Sequence, residues 1–240
     1  FRFPTEDEDF TLDPKLEDSL ELVGIHGAKG IRVKRLFDAL EGTSGLTQAA
    51  SSRGTGRRQV QVPSRVRSAI RAAARETGVS ERLLTLYAYI ESSFNPRAGA
   101  GGRYVGLFQL STDVFSEYGG RGSRTDPVQN ALVAARSIKA QQQQADFPRD
   151  KSNMEQAVWL YVMHQQGAAG GRAHYRDQEQ VAWRNIRRYY RSDRTAQRVV
   201  RNNVSTSWFQ RFGINMTSKD FIGYWASMLG RADRLISGSW

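Results

Sequence analysis

The chain of 240 residues contains no cysteine, which excludes disulfides and thiolate metal sites. That composition is compatible with exposure in an oxidising periplasm and does not require it. No apolar run reaches the roughly 18 residues of a membrane-spanning helix. No recognisable signal peptide opens the chain. The three histidines, His26, His164 and His174, are scattered, and neither an H-E-x-x-H pair nor an EF-hand loop occurs. No metal and no cofactor are expected. No internal repeat is visible. Acidic residues are also missing from the middle of the chain: between Glu81 and Asp113 the single one is Glu91.

That residue lies in Ile90-Glu91-Ser92-Ser93-Phe94-Asn95-Pro96, after the mostly apolar run Leu83 to Ile90. Ser80 is a suitable N-cap, with Glu81 in the first turn, so a helix is expected over about residues 80–93. Leu84, Tyr87 and Ala88 precede Glu91 by seven, four and three residues and share its face. Asn95-Pro96 should end the helix, because a residue before proline avoids the α region. Glu91 is thus expected on a buried face near a helix C-terminus. Burial and the helix dipole both favour the neutral carboxyl there, as a general acid needs. A buried Glu paired with one of the many arginines would give the same pattern.

The segment Glu91 to Pro96 resembles the E-S-x-F-N-P motif of soluble lytic transglycosylases. Gly106-Leu107-Phe108-Gln109-Leu110 resembles that family's G-L-M-Q-L, with Phe108 in place of Met. The third motif, A-Y-N-A-G, has a looser counterpart in Met163-His164-Gln165-Gln166-Gly167, with His164 at the Tyr position and Gln165 at the Asn position. The His and the Gly-rich run after it are more similar to phage-borne members. So is the C-terminal part, with Trp208-Phe209, Thr217 to Phe221 and Trp225. The resemblance covers about residues 63–230.

It implies an all-α, lysozyme-like domain that binds peptidoglycan glycan strands. It implies cleavage of the β-1,4 bond between N-acetylmuramic acid and N-acetylglucosamine, with a 1,6-anhydro product. Glu91 takes the catalytic position. Ser92, Phe108, Gln109, Tyr161, His164 and Gln165 take substrate-side positions, with Tyr161 able to hydrogen-bond either the carboxyl or the sugar. Tyr189 and Tyr190 are further candidates for that tyrosine. This mechanism uses one carboxylate, whereas glycosidases with two hold them about 5–9.5 Å apart. Asp113, Glu117 and Asp126 are the candidates for a second. Asp126 reads better as an N-cap before Pro127, and the other two as residues of a helix after Thr112. A goose-type-like lysozyme, or a structural virion protein that only binds peptidoglycan, are the alternatives.

The net charge is +11; residues 1–21 hold eight acids against two bases, so the remainder carries +17. Such a body attracts polyanions, including the wall with its peptide carboxylates. Arg65, Arg67, Arg71 and Arg75 are spread along a helix rather than gathered in a nucleic-acid motif, so no specific nucleic acid is expected.

Residues 1–62 read as an N-terminal, partly irregular extension and linker, with Pro4 and Pro14 as breakers, a short helix over 29–41 and a Gly/Ser/Thr/Arg-rich stretch over 42–62. A docking role toward virion proteins is expected for it. Phe1 suggests a processed or excised chain, and a phage virion or the host periplasm and cell wall are the expected locations.

From Pro63 to residue 240 one catalytic domain is expected, helical throughout. Its first helix, carrying Val66, Ile70 and Ala73, should close at Gly78. A Gly-rich loop over 97–105 should be flexible enough to border a cleft. Further helices are expected over about 127–145, from the Ser152/Glu155 capping box to Gly167, and near 178–191, 193–203 and 217–230. Trp208, Phe209, Phe212, Phe221, Tyr224 and Trp225 should pack the last of these or stack on sugars. Val60-Gln61-Val62 is too short a strand to change the class.

Overall fold

A computed structural model describes residues 60–236; the expected docking extension, apart from residues 60–62, lies outside them. The described residues cluster into two compact units, one of residues 60–164 with 225–236 and one of residues 165–224. All the regular elements are helical. Among the described residues the only β pairing is in two isolated bridges, Val105–Leu110 and Val181–Thr217.

The first unit opens with α1 (Ser64–Thr77), which buries Val66, Ala69, Ile70 and Ala73 on one face. Gly78 ends it in the left-handed conformation, φ 72°, its N–H closing on Ala74. Next comes α2 (Glu81–Ser92), capped by the Ser80 side chain. All nine residues from Leu83 to Glu91 are buried, not one face alone, as befits a helix enclosed on every side. Each large apolar side chain enclosed there contributes about 1.5–3 kcal/mol. After α3 (Thr112–Glu117), α4 (Pro127–Gln142) begins at Asp126, whose carboxylate accepts from the Val128 N–H at 2.9 Å. Helix α1 packs against both α4 and α2, and α3 packs against α4.

The helical stretch α5 (Asn153–Arg176) starts at the expected capping box. The Ser152 N–H donates to Glu155 at 3.0 Å, and the Glu155 N–H donates to Ser152 Oγ at 3.3 Å. These bonds hold the Glu155 carboxyl below its ordinary range. The helix was expected to stop before Gly167. It does: Gly167 stands at φ 72° and ψ 161°, a non-helical conformation open to glycine, and a second helical segment, not expected from the sequence, follows it. Residues 225–236 of α9 (Ser218–Ile236) complete this unit: Val60 N–H donates to the Leu235 carbonyl at 3.0 Å, and Arg82 pairs with Asp233 at 2.7 Å.

The second unit contains α6 (Ala182–Ile186), a 3-10 turn (Arg187–Tyr189), α7 (Asp193–Asn202) and α8 (Thr206–Phe212). The helix expected near 178–191 is shorter because Asp177 turns the chain, accepting from the Gln180 N–H at 3.1 Å. The sequence reading missed α8, whose N-cap Ser205 accepts from Trp208 N–H at 3.2 Å. Trp208 lies against Phe212 and Tyr224, with ring centroids 4.9 and 5.5 Å apart, so these aromatics pack on one another.

Within this unit His174 is fully buried, stacked on Phe221. Ser218 Oγ accepts from Asn185 at 2.7 Å and lies 2.8 Å from His174 Nδ1. Burial pushes the imidazole down to about 3 from its ordinary 6.5. The unfolded chain therefore takes up this proton near 6.5, and the folded chain resists it until about 3. Stability from this group is complete above the unfolded value and is lost progressively as pH falls toward the folded one. Between pH 7 and about 4.5, wild type should lose roughly 2–3 kcal/mol more than a His174→Phe variant. Denaturant unfolding of both proteins at the two pH values checks this; equal losses would refute it.

Candidate active site

Helix α2 presents Glu91 on its last turn with the side chain closed to solvent. The helix stops one residue later than Glu91, before Asn95-Pro96 is reached. Ser93 and Phe94 both take left-handed φ, 52° and 65°, and the Phe94 N–H reaches back to the Ala88 carbonyl at 3.3 Å. Non-glycine residues rarely adopt this region, and the cost is of order 1–3 kcal/mol each. Burial of the Phe94 ring beside Tyr89, 5.5 Å between centroids, helps to offset it. Ser92 is half-buried and its hydroxyl donates to the Ala88 carbonyl at 2.9 Å, so it braces the same helix end.

Two side chains from α5 meet the Glu91 carboxyl. Tyr161 donates its hydroxyl to Oε1 at 3.1 Å, and His164 Nε2 lies 3.1 Å from the same oxygen. Three residues apart on a helix, they share one face. Tyr161 is fully buried and held edge-on by Tyr87, 4.9 Å away, with Trp225 at 4.9 Å as well. Tyr87 donates its own hydroxyl to the Ala157 carbonyl at 2.9 Å. His164 is the open member of the trio, its side chain 20% exposed.

The segment Gly106 to Leu110 forms a pinched loop. Val105 and Leu110 exchange both backbone hydrogen bonds, at 3.1 and 3.0 Å. Gln109 stands at φ 48°, and its amide nitrogen donates to the Ala98 and Gly106 carbonyls at 3.0 and 2.9 Å. Those donors hold the loop itself. Phe108 is 1% exposed, with its N–H on Asn130 Oδ1 at 2.9 Å. Asn130 also donates to Val105 and Arg124 carbonyls at 3.1 and 2.9 Å, so one buried amide fixes three strands of loop. Arg124 donates to the carbonyls of Gly102, Arg103 and Leu110. The Gly-rich stretch expected to be pliant is thereby tethered from both sides.

Tyr104, on this loop, was not singled out from the sequence. Burial first of all pushes its phenol up; the Arg103 charge and hydrogen bond oppose this, and the Glu91 and Asp113 charges add to it more weakly. Its hydroxyl thus lies in electrostatic reach of both carboxyls. Asp113 and Glu117 are exposed on α3, and Asp126 serves as a cap. Gln165 is fully buried. Tyr189 closes the 3-10 turn, with the Arg188 guanidinium 4.9 Å from its ring. Among the described residues no group of three or more His, Cys, Asp or Glu could hold a metal ion, and no helix is long and apolar enough to cross a membrane.

Of the residues expected to form a site, the structure brings Glu91, Tyr161 and His164 into direct contact, with Ser92 on the helix end beside them. Asn130 and Arg124 were missed. The available signal was a lone Asn on the alanine-rich buried face of α4.

The family described as Transglycosylase SLT domain matches residues 68–185, from within α1 to within α6. No curated protein matches the chain.

Proposed function

Residues 68–185 belong to the SLT transglycosylases, a family of lytic enzymes acting on peptidoglycan, and from that premise we propose that Glu91 cleaves the N-acetylmuramic acid–β-1,4–N-acetylglucosamine bond as both acid and base. The observation that carries the reading is the solvent-closed Glu91 carboxyl held by the Tyr161 hydroxyl at 3.1 Å. Enclosure and the helix C-terminus favour its protonated form. The carboxyl donates that proton to the leaving glycosidic oxygen as the bond to the anomeric carbon breaks. The resulting carboxylate takes the proton of the muramoyl 6-hydroxyl while O6 bonds to the anomeric carbon. The products are a 1,6-anhydro end and a free 4-hydroxyl, and Glu91 is protonated again. Ser92 and His164, both partly exposed, are assigned to the glycan side. Phe108 and Gln109 act by shaping the loop.

Hydrolysis is the second reading, with Asp113, whose charge reaches Tyr104 as that of Glu91 does, the second carboxylate to test. Mass spectrometry of muropeptides released from Gram-negative sacculi separates the two. Anhydro ends from wild type, none from Glu91→Gln, and Asp113→Asn within about threefold of wild type are expected for a one-carboxylate enzyme. Reducing ends, with a large loss in Asp113→Asn, would replace the transglycosylase by a lysozyme. Release of neither product, with binding to sacculi retained, would leave a structural protein. The His164 substitution and the glycine run after it support a phage enzyme, virion-associated or active at lysis, with residues 1–62 docking it to virion proteins.

A further inference from the structure

We propose that His164 and Glu91 form a single proton-holding pair, in which His164 is a positioning residue that keeps a proton within reach of Glu91 at neutral and mildly alkaline pH. The inference rests on the reading of Glu91 as the acid and extends it.

The geometry is specific. His164 Nε2 and the Tyr161 hydroxyl converge on one oxygen, Oε1, each at 3.1 Å. The Glu91 side chain has no exposed surface, while that of His164 has 20%. The imidazole is therefore the member of the pair that meets the solvent from which a proton must come. A lone carboxyl of ordinary acidity, near 4.3, would be ionised in well over nine-tenths of molecules at pH 7. An imidazole titrates near 6.5 and is the side chain suited to hold a proton in that range.

When two coupled groups share a proton, the last one leaves at an apparent pH no lower than that of either group alone, because it can reside on both. The transfer balances simply. The Nε2–H bond breaks and the Oε1–H bond forms, the imidazolium becoming neutral as the carboxylate becomes a carboxylic acid. Glu91 then donates to the glycosidic oxygen and recovers a proton from the 6-hydroxyl. The pair ends the turnover with the proton count it began with.

The polar groups described above as neighbours of the pair do not compete for this proton. The Tyr161 hydroxyl donates to Oε1 and the Tyr87 hydroxyl to the Ala157 carbonyl. The Tyr104 phenol, pushed up by burial, stays neutral across the working range. Asp113 and Arg103 act on Tyr104 with opposite sign, and Trp225 covers Tyr161 with an aromatic ring.

The test is the pH dependence of kcat/KM on solubilised peptidoglycan for wild type, His164→Gln and Glu91→Gln. Removing the imidazole should move the alkaline limb to lower pH by about one unit, which is a tenfold loss near pH 8 with little change near pH 5. A uniform loss with the limb unmoved, or a limb displaced upward, would overturn the pairing and leave His164 with its glycan-side or a structural role alone. Activity in Glu91→Gln would instead overturn the underlying reading of the acid. A second measurement does not depend on the His164 variant folding. The imidazole resonances of wild type and Glu91→Gln are titrated by NMR. His164 should titrate higher in wild type, where the carboxylate holds its proton, and equal titration in the two proteins would also overturn the pairing.

Discussion

Glu91→Gln is expected to lose about a thousandfold or more of wall-cleaving activity while its melting temperature stays level or rises. Glutamine keeps the shape and still offers an oxygen to the Tyr161 hydroxyl, which lies 3.1 Å from Oε1 in the native protein. It cannot release a proton to the leaving group. The enclosed carboxyl also carries a desolvation cost whenever it ionises, and the amide does not. Activity and stability should therefore separate, which a simple folding defect would not produce. Turbidity clearing of sacculi and a thermal melt on the same preparations are sufficient. A variant retaining more than a tenth of wild-type activity would take Glu91 out of the chemistry.

The second large effect is structural. Gly106→Ala should destabilise the protein by about 3–5 kcal/mol, combining a left-handed alanine with broken buried hydrogen bonds. Gly106 stands at φ +88°, and a Cβ there would lie 2.4 Å from both the Arg124 carbonyl oxygen and the Asn130 side-chain nitrogen. Neither can retreat freely. Asn130 is fully buried and bonds Phe108, Val105 and Arg124 at once. Moving it strips the Phe108 N–H and the Arg124 carbonyl of their Asn130 partner and leaves the Val105 carbonyl with the Leu110 N–H alone. Gly101 is the control: its φ is +80°, with nothing within 4 Å of an added Cβ. Gly101→Ala should cost only about 1 kcal/mol, the conformational share. Comparable melting temperatures for the two variants would show that the Asn130 wedge does not matter.

The helical class and the burial of Glu91 near a helix C-terminus were legible because each follows from local spacing. A capping serine, an apolar run and a three-residue step act over a few residues and need no tertiary information. The capping box at Ser152 and Glu155, the Asp126 cap and the Gly78 stop were readable for the same reason. What was not legible depended on distant partners. The end of α2 fell where expected, but the turn that closes it rests on two left-handed residues, Ser93 and Phe94, that no propensity favours and that packing must hold. Glycines at 99, 101 and 102 suggested a loose loop, because the tether comes from Arg124, more than twenty residues further on. The second helical segment that begins after Gly167 likewise runs against the local signal, since a glycine-rich stretch disfavours helix. Gln109, read as a sugar contact, has its amide nitrogen committed to carbonyls that only the folded loop brings to it.

The unit that contains Glu91 is discontinuous, made of residues 60–164 and 225–236. During synthesis, then, Glu91 and the tyrosine that holds it leave the ribosome well before Trp225, whose ring covers that tyrosine at 4.9 Å. At about 5–20 residues per second the interval is several seconds. For that time the Glu91 seat lacks one wall, and the chain carries an unfinished enzyme. The last helix acts as a latch in time as well as in space: Leu235 and Asp233 fasten it to Val60 and Arg82 only once the intervening unit has been made. Completion of the Glu91 seat is thereby deferred until residues 225–236 have been made.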